Sequence, residues 1–76
     1  APVTNYKSRL QEWMQKELGE NPVYEIVSAT GPDHAKLFVV AVRVQGRVYG
    51  QGTGHKKQEA EKAAAREALR HLQLLP

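Results

Sequence analysis

A chain of 76 residues with 11 lysines and arginines against 8 aspartates and glutamates, a net charge of +3, is expected to form one small, mildly basic domain. It has no cysteine, which excludes disulfides and thiolate metal sites and fits a reducing compartment such as the cytoplasm. No apolar run approaches the roughly 18–20 residues that span a bilayer, so no membrane partner is expected, and no signal-peptide pattern is visible.

Residues 5–18, NYKSRLQEWMQKEL, read as an amphipathic helix. Tyr6, Leu10, Trp13, Met14 and Leu18 fall on one face, while Ser8, Gln11, Glu12 and Gln15 lie opposite. Thr4 or Asn5 supplies a short oxygen-bearing cap, and Gly19 and Pro22 end the helix. A β-branched run at 23–29, VYEIVSA, predicts a strand. A stronger strand follows at 36–44, KLFVVAVRV. Phe38, Val40, Val42 and Val44 share one side of it, and Leu37, Val39, Ala41 and Arg43 share the other. Gln45-Gly46 is a two-residue hairpin turn, with glycine supplying a positive φ. A third strand, weakened by glycines, covers 47–54. From about 56 to 74 the period is helical again. Ala60, Ala64, Ala68 and Leu72 form a stripe of small residues that lets a helix lie close on a sheet. Short connections make the strands an antiparallel meander, and a meander with one apolar face needs a cover. The predicted fold is therefore α+β, in the order α-β-β-β-α, with two helices packed on one face of a three-stranded antiparallel sheet. A single domain covers residues 1–76.

The stretch GQGTGHKKQEAEKAAA, residues 50–65, invites a nucleotide-binding reading. A P-loop requires lysine after its last glycine and then a hydroxyl residue for magnesium. Here His55 follows Gly54, and Gln58 follows Lys57. The spacing G-x-G-x-G also fails the dinucleotide pattern, and both motifs need a parallel βαβ unit. An isolated lysine pair is most often a solvated surface feature. These lysines, however, sit at a helix N-terminus, where the backbone dipole disfavours cations, with Glu59 and Glu61 offsetting them one turn in. An anion at that end would complete the arrangement, because free N–H groups, the dipole and the ammonium groups converge there.

Three stretches carry a resemblance: NYKSRLQEWMQK in the first helix, GPDHAKLF between the first two strands, and GHKKQEAExxAA opening the second helix. Together they resemble the double-stranded RNA-binding domain, most of all the one at the C-terminal end of bacterial ribonuclease III. The resemblance runs the length of the chain. It implies a grip on one side of an A-form duplex at two minor grooves and the major groove between them, about 16 base pairs in all. Carried over by motif, Gln11, Glu12 and Gln15 meet the first minor groove, where a 2′-hydroxyl can donate and accept and a glutamine amide can do both in return. Glu12 suits this only by accepting a hydroxyl proton, since phosphates repel its carboxylate. Pro32, Asp33 and His34 reach the second minor groove, with His34 the inserting residue and Asp33 equally suited to capping the turn. His55, Lys56, Lys57 and Gln58 face phosphates across the major groove, with Lys57 foremost. The chain departs from the common pattern at Lys56, where serine usually caps the helix, and at Gln58 and Glu61, where further lysines are usual. The implied grip is less cationic than in many relatives.

The residues themselves offer no catalytic set. Carboxylates are scattered, and histidines 34, 55 and 71 lack ligand spacing. The implied partner is double-stranded RNA, and no small-molecule substrate or cofactor is implied for this chain. Magnesium, cutting activity and a homodimer contact would belong to an upstream ribonuclease III catalytic domain. Trp13 and Tyr24 read as core or core-edge residues, and the low aromatic content argues against single-strand stacking. Arg66, Arg70 and His71 read as solvated or set against a neighbour. Alternative readings are a protein-interaction module of the same fold, an enzyme acting alone, and a duplex binder that also accepts DNA.

Overall fold

The computed structural model describes residues 5–75. Helix α1 spans Tyr6–Leu18, and strands β1, β2 and β3 span Val23–Thr30, Leu37–Val44 and Arg47–Gly54. Helix α2 spans Lys57–His71, and one 3-10 turn, Asp33–Ala35, lies between β1 and β2. The sheet is antiparallel in the order β1-β2-β3, and both helices cover the same face of it. None of the described helices is long and apolar enough to cross a membrane.

The start of α1 is fixed by Asn5, whose side-chain oxygen accepts from the Ser8 N–H at 3.1 Å. Thr4, the other candidate cap, lies outside the described residues. Asn5→Ala should cost about 1 kcal/mol of stability, the usual worth of such a cap, read as a lower urea midpoint at unchanged slope. At the other end Gly19 takes a left-handed conformation and its N–H donates to the Gln15 carbonyl at 3.1 Å. Leu10 and Met14 of the apolar face are fully buried, and Tyr6, Trp13 and Leu18 pack around them.

In β2 the helix-facing set is the expected one, although burial does not strictly alternate, since Ala41 on the other face is also only 1% exposed. Val40, Val42 and Val44 are buried beneath the helices, with Phe38 partly buried beside them. β1 is an edge strand and much more open. Val23 is 61% exposed, and a bulge at Val27 shifts the register between Ile26 and Ser28. On the face away from the helices, Arg43 pairs with Glu25 at 3.1 Å. The β2–β3 turn has φ of 54° at Gln45 and 78° at Gly46. Positive φ at both positions makes it the mirror-image turn that matches strand twist.

Five boundaries differ from expectation, the first at α1, which begins at Tyr6 with Asn5 outside it as the cap. β1 runs one residue further, to Thr30, and β2 begins at Leu37 rather than Lys36. The larger difference is in α2, which starts at Lys57 and ends at His71, not at about 56 and 74. Lys56 holds the N-cap position in an extended conformation with no side-chain cap. At the far end Gln73 turns left-handed at φ 60°, its N–H donates to Arg70, and the Leu74 N–H donates back to Leu69, both at 2.9 Å. That pair of bonds is a Schellman stop. Leu72, Leu74 and Leu75 continue the apolar pattern but pack on the core from this reversal.

The alternate glycines of β3 explain how α2 sits. A Cβ at Gly50 would lie 2.6 Å from the Ala68 nitrogen, and one at Gly54 would lie 2.7 Å from the Ala60 nitrogen. One at Gly52 would collide with the Ala64 nitrogen and the Ala63 backbone. Strand backbone therefore meets helix backbone directly, with Ala60, Ala64 and Ala68 fully buried along the seam. The glycines that suggested a phosphate cradle are spent on this contact.

Candidate nucleic-acid interface

The register of the sheet gathers two of the three expected patches. Thr30 pairs with Leu37, and Phe38 pairs with Gly54, so the 31–36 loop and the start of α2 emerge at the same end. A side chain joins them. With a carbonyl as its partner, the His55 Nδ1 must donate, and it does so to the Lys36 oxygen at 3.1 Å. His55, Lys56, Lys57 and Gln58 are all exposed.

Within the loop, Gly31 has φ 95° and Pro32 is extended at φ −68°, ψ 159°. The Pro32 carbonyl accepts from the Ala35 N–H at 2.9 Å and closes the 3-10 turn, which holds Asp33 and His34 outward and exposed. Asp33 does not cap this turn: no side-chain cap bond is made, and its carboxylate faces the Lys36 ammonium at 3.5 Å. With Asp33 fully exposed, such a pair contributes little stability.

The α1 patch connects to α2 through a pairing that local sequence did not announce. Lys7 Nζ lies 2.7 Å from Glu61 Oε1. Glu61 is thus committed to α1 and does not offset the lysines at its own helix start. Among the described residues, neither Lys56 nor Lys57 is ion-paired. Lys7, Gln11 and Gln15 follow one another at i, i+4 spacing, as do Lys57 and Glu61, so the ion pair makes the two ridges contiguous. Gln11 and Gln15 both donate from Nε2 to the Asn21 side-chain oxygen, at 3.4 and 2.7 Å. Glu12 stands apart from this trio. It lines a shallow groove with Arg9, Trp13, Lys16, Leu69 and Leu74, in which Arg9 donates to the Leu74 carbonyl at 3.0 Å.

The aromatic residues behave as core-edge groups. Trp13 and Tyr24 are partly buried against the core. The Lys7 ammonium sits 4.9 Å over the Tyr24 ring. Burial, with the Glu61 carboxylate adding to it, pushes the Tyr24 hydroxyl up to about 12. Arg66 is exposed; Arg70 lies 3.5 Å from Glu67, and His71 Nδ1 donates to the Tyr49 carbonyl at 3.2 Å. Asn21, Lys7 and the Lys36 carbonyl were not identified from sequence. Their partners lie outside any helical or strand period, and only a short polar residue between a helix-ending glycine and a proline hints at Asn21.

The model of the family described as the double-stranded RNA binding motif matches residues 6–72. Ribonuclease 3 of Protochlamydia amoebophila is 41% identical over 73 residues, covering 96% of this chain and 30% of that protein. Ribonuclease 3 of Streptococcus sanguinis is 50% identical over 67 residues, covering 88% of this chain and 29% of that protein. The chain spans less than a third of the length of these relatives. Among solved structures, Arabidopsis HYL1, studied for its implications in miRNA processing, superposes with a TM-score of 0.78 at 44% identity, covering 92% of this chain and 99% of that one. Dicer from Pichia stipitis superposes at 0.71 with 27% identity, over 90% of this chain and 34% of that one. With a family match across nearly its whole length and the α-β-β-β-α architecture in place, this chain belongs to the double-stranded RNA binding motif family.

Proposed function

We propose that the domain binds double-stranded RNA along one side of the duplex, by shape and with little sequence preference. The observation that carries this reading is the start of α2. Lys56 and Lys57 are exposed, unpaired with any described carboxylate, and placed at an uncapped helix end whose N–H groups carry positive charge. That arrangement opposes helix stability and favours an incoming phosphate. His34, with Pro32 and Asp33 beside it, enters one minor groove. Gln11 and Gln15 enter the next, with Glu12 on the neighbouring flank of α1, and His55 and Gln58 flank the lysines at the major groove between them. Backbone contacts set the position, and 2′-hydroxyls distinguish RNA from DNA.

The similarity to ribonuclease 3 sequences supports a place for this domain in a double-strand-specific endoribonuclease, which we read as a cytoplasmic enzyme. In that reading the cutting domain, its homodimer contact and its magnesium ions lie outside this chain. Among the described residues, no group of three or more histidines, cysteines or carboxylates could hold a metal ion.

Titration against duplex RNA, duplex DNA and single-stranded RNA of equal length, at about 0.15 M salt, tests the reading. Duplex RNA alone should bind, and its affinity should fall as salt rises. Equal binding of duplex DNA would make this a general duplex binder. No binding to any duplex, with self-association instead, would make it an interaction module.

A further inference from the structure

Resting on that reading, we infer that Lys7 is a positioning residue for RNA binding: by holding Glu61 against α1, it keeps Lys57 free to meet a phosphate. The two charges of the pair differ in their surroundings. Lys7 Nζ lies 2.7 Å from Glu61 Oε1, with the lysine side chain 43% exposed and the glutamate only 20%. The lysine is held from a second side as well. Its ammonium sits 4.9 Å over the Tyr24 ring, whose negative π face attracts a cation. Lys7 lies on α1, Tyr24 on β1 and Glu61 on α2, so the packing of three elements sets this arrangement.

Glu61 needs such a partner. A carboxylate with little access to water is costly to leave unpaired, and loss of its cation favours any other cation within reach. On α2 the positions one turn from Glu61 are Lys57, Gln58, Ala64 and Ala65, and side chains at these spacings are neighbours. Lys57 is the one cation among them. The relation is mutual, because the positions one turn on from Lys57 are Ala60 and Glu61, and only the glutamate is charged. Glu59 does not compete. It is two residues from each, a spacing at which helical side chains do not face one another, and its Cβ lies beside Gly54 of β3.

Without Lys7, Glu61 and Lys57 would therefore pair along α2. An ammonium engaged by a carboxylate must break that contact before it meets a phosphate, and a carboxylate brought to the phosphate track repels the RNA backbone. Lys7 prevents both without itself touching RNA. An acidic residue one turn inside a phosphate-binding helix end is thereby made compatible with the grip.

The test measures affinity of the whole chain for an RNA duplex of about 16 base pairs at about 0.15 M salt. Methionine at position 7 keeps the apolar stem over Tyr24 and removes the charge. Lys7→Met should weaken binding about threefold, the worth of a partly exposed ion pair, whereas Lys7→Arg should bind as the wild type does. The double variant Lys7→Met/Glu61→Gln loses one charge of each sign and should also bind like the wild type. Coupling to Lys57 is the decisive readout. Lys57→Ala should cost the Lys7→Met background about threefold less than it costs the wild type, and should cost the double variant the full wild-type factor. A purely structural or long-range charge effect of Lys7 would leave that factor unchanged in every background. Equal factors in the wild type and Lys7→Met, or a double variant as weak as Lys7→Met, overturns the inference while leaving duplex binding intact. Should Lys7→Met fail to fold, Glu61→Gln alone decides. It removes the competitor and should bind no more weakly than the wild type, and a loss of affinity there overturns the inference too. A wild type that binds no RNA duplex would instead overturn the underlying reading.

Discussion

Gly52→Val is expected to abolish cooperative folding, and even Gly52→Ala should cost about 3 kcal/mol or more. The reason lies in what surrounds the position. A Cβ added there meets the Ala64 amide nitrogen, the Ala63 carbonyl carbon at 2.5 Å and the Ala63 Cβ at 2.6 Å. Overpacking a core ordinarily costs about 1–3 kcal/mol, because flexible side chains move aside. Here the obstructing atoms belong mostly to helix backbone, which cannot adjust without lifting α2 away from the sheet. Lifting it would expose Ala60, Ala64, Ala65, Ala68 and Leu69, nearly half of the fully buried set. A domain of this length has on the order of 5 kcal/mol in reserve. Circular dichroism during heating should show a sharply lowered midpoint for the alanine variant and no transition for the valine variant. Gly46→Ala serves as the comparison. Nothing lies within 4 Å of a Cβ there, so only its positive φ is penalised, by about 1 kcal/mol. A valine variant at position 52 that melted like the wild type would show that β3 and α2 are not in backbone contact.

Lys57→Ala should weaken duplex RNA binding by about 1–3 kcal/mol, the range of a charge-assisted hydrogen bond, and should lower the slope of log affinity against log salt by about one. Its effect on stability should have the opposite sign. Lys57 is exposed and opens α2 at the positive end of the helix dipole, so removing it relieves a repulsion of roughly 0.3–1 kcal/mol. A variant that binds RNA worse while melting no lower than the wild type separates ligand contact from structural support. Equal affinities for the wild type and the variant, with the fold intact, would remove Lys57 from the interface.

Much of the fold was legible because local periods determine it. The spacing of Leu10 and Met14 gave α1, and the alternation of Val40, Val42 and Val44 gave β2. The pair Gln45-Gly46 gave the turn. The end of α2 was not legible, because its stop uses Gln73 at positive φ where glycine would have been the signal, and the following leucines keep the apolar rhythm. The β3 glycines were visible but ambiguous. Read alone they weaken a strand, and only beside the alanines do they become a seam. At the candidate site, the motifs named the outward residues and missed the groups that hold them. Asn21 gathers two glutamines, the Lys36 carbonyl anchors His55, and Lys7 takes Glu61 from its own helix. Each pairing joins residues from different elements, and no periodicity along the chain encodes that.

The seam between β3 and α2 also bears on how such a sequence can change over time. In most cores a gain of volume on one side can be absorbed by a loss on the other, so paired substitutions open routes for drift. Glycine facing alanine leaves nothing further to surrender on the strand and almost nothing on the helix. Neither partner can be replaced first without loss, and no second change restores the fit. Descendants of this chain would therefore diverge freely at exposed positions such as Gln51 and Arg66 while Gly50, Gly52, Ala64 and Ala68 stay frozen.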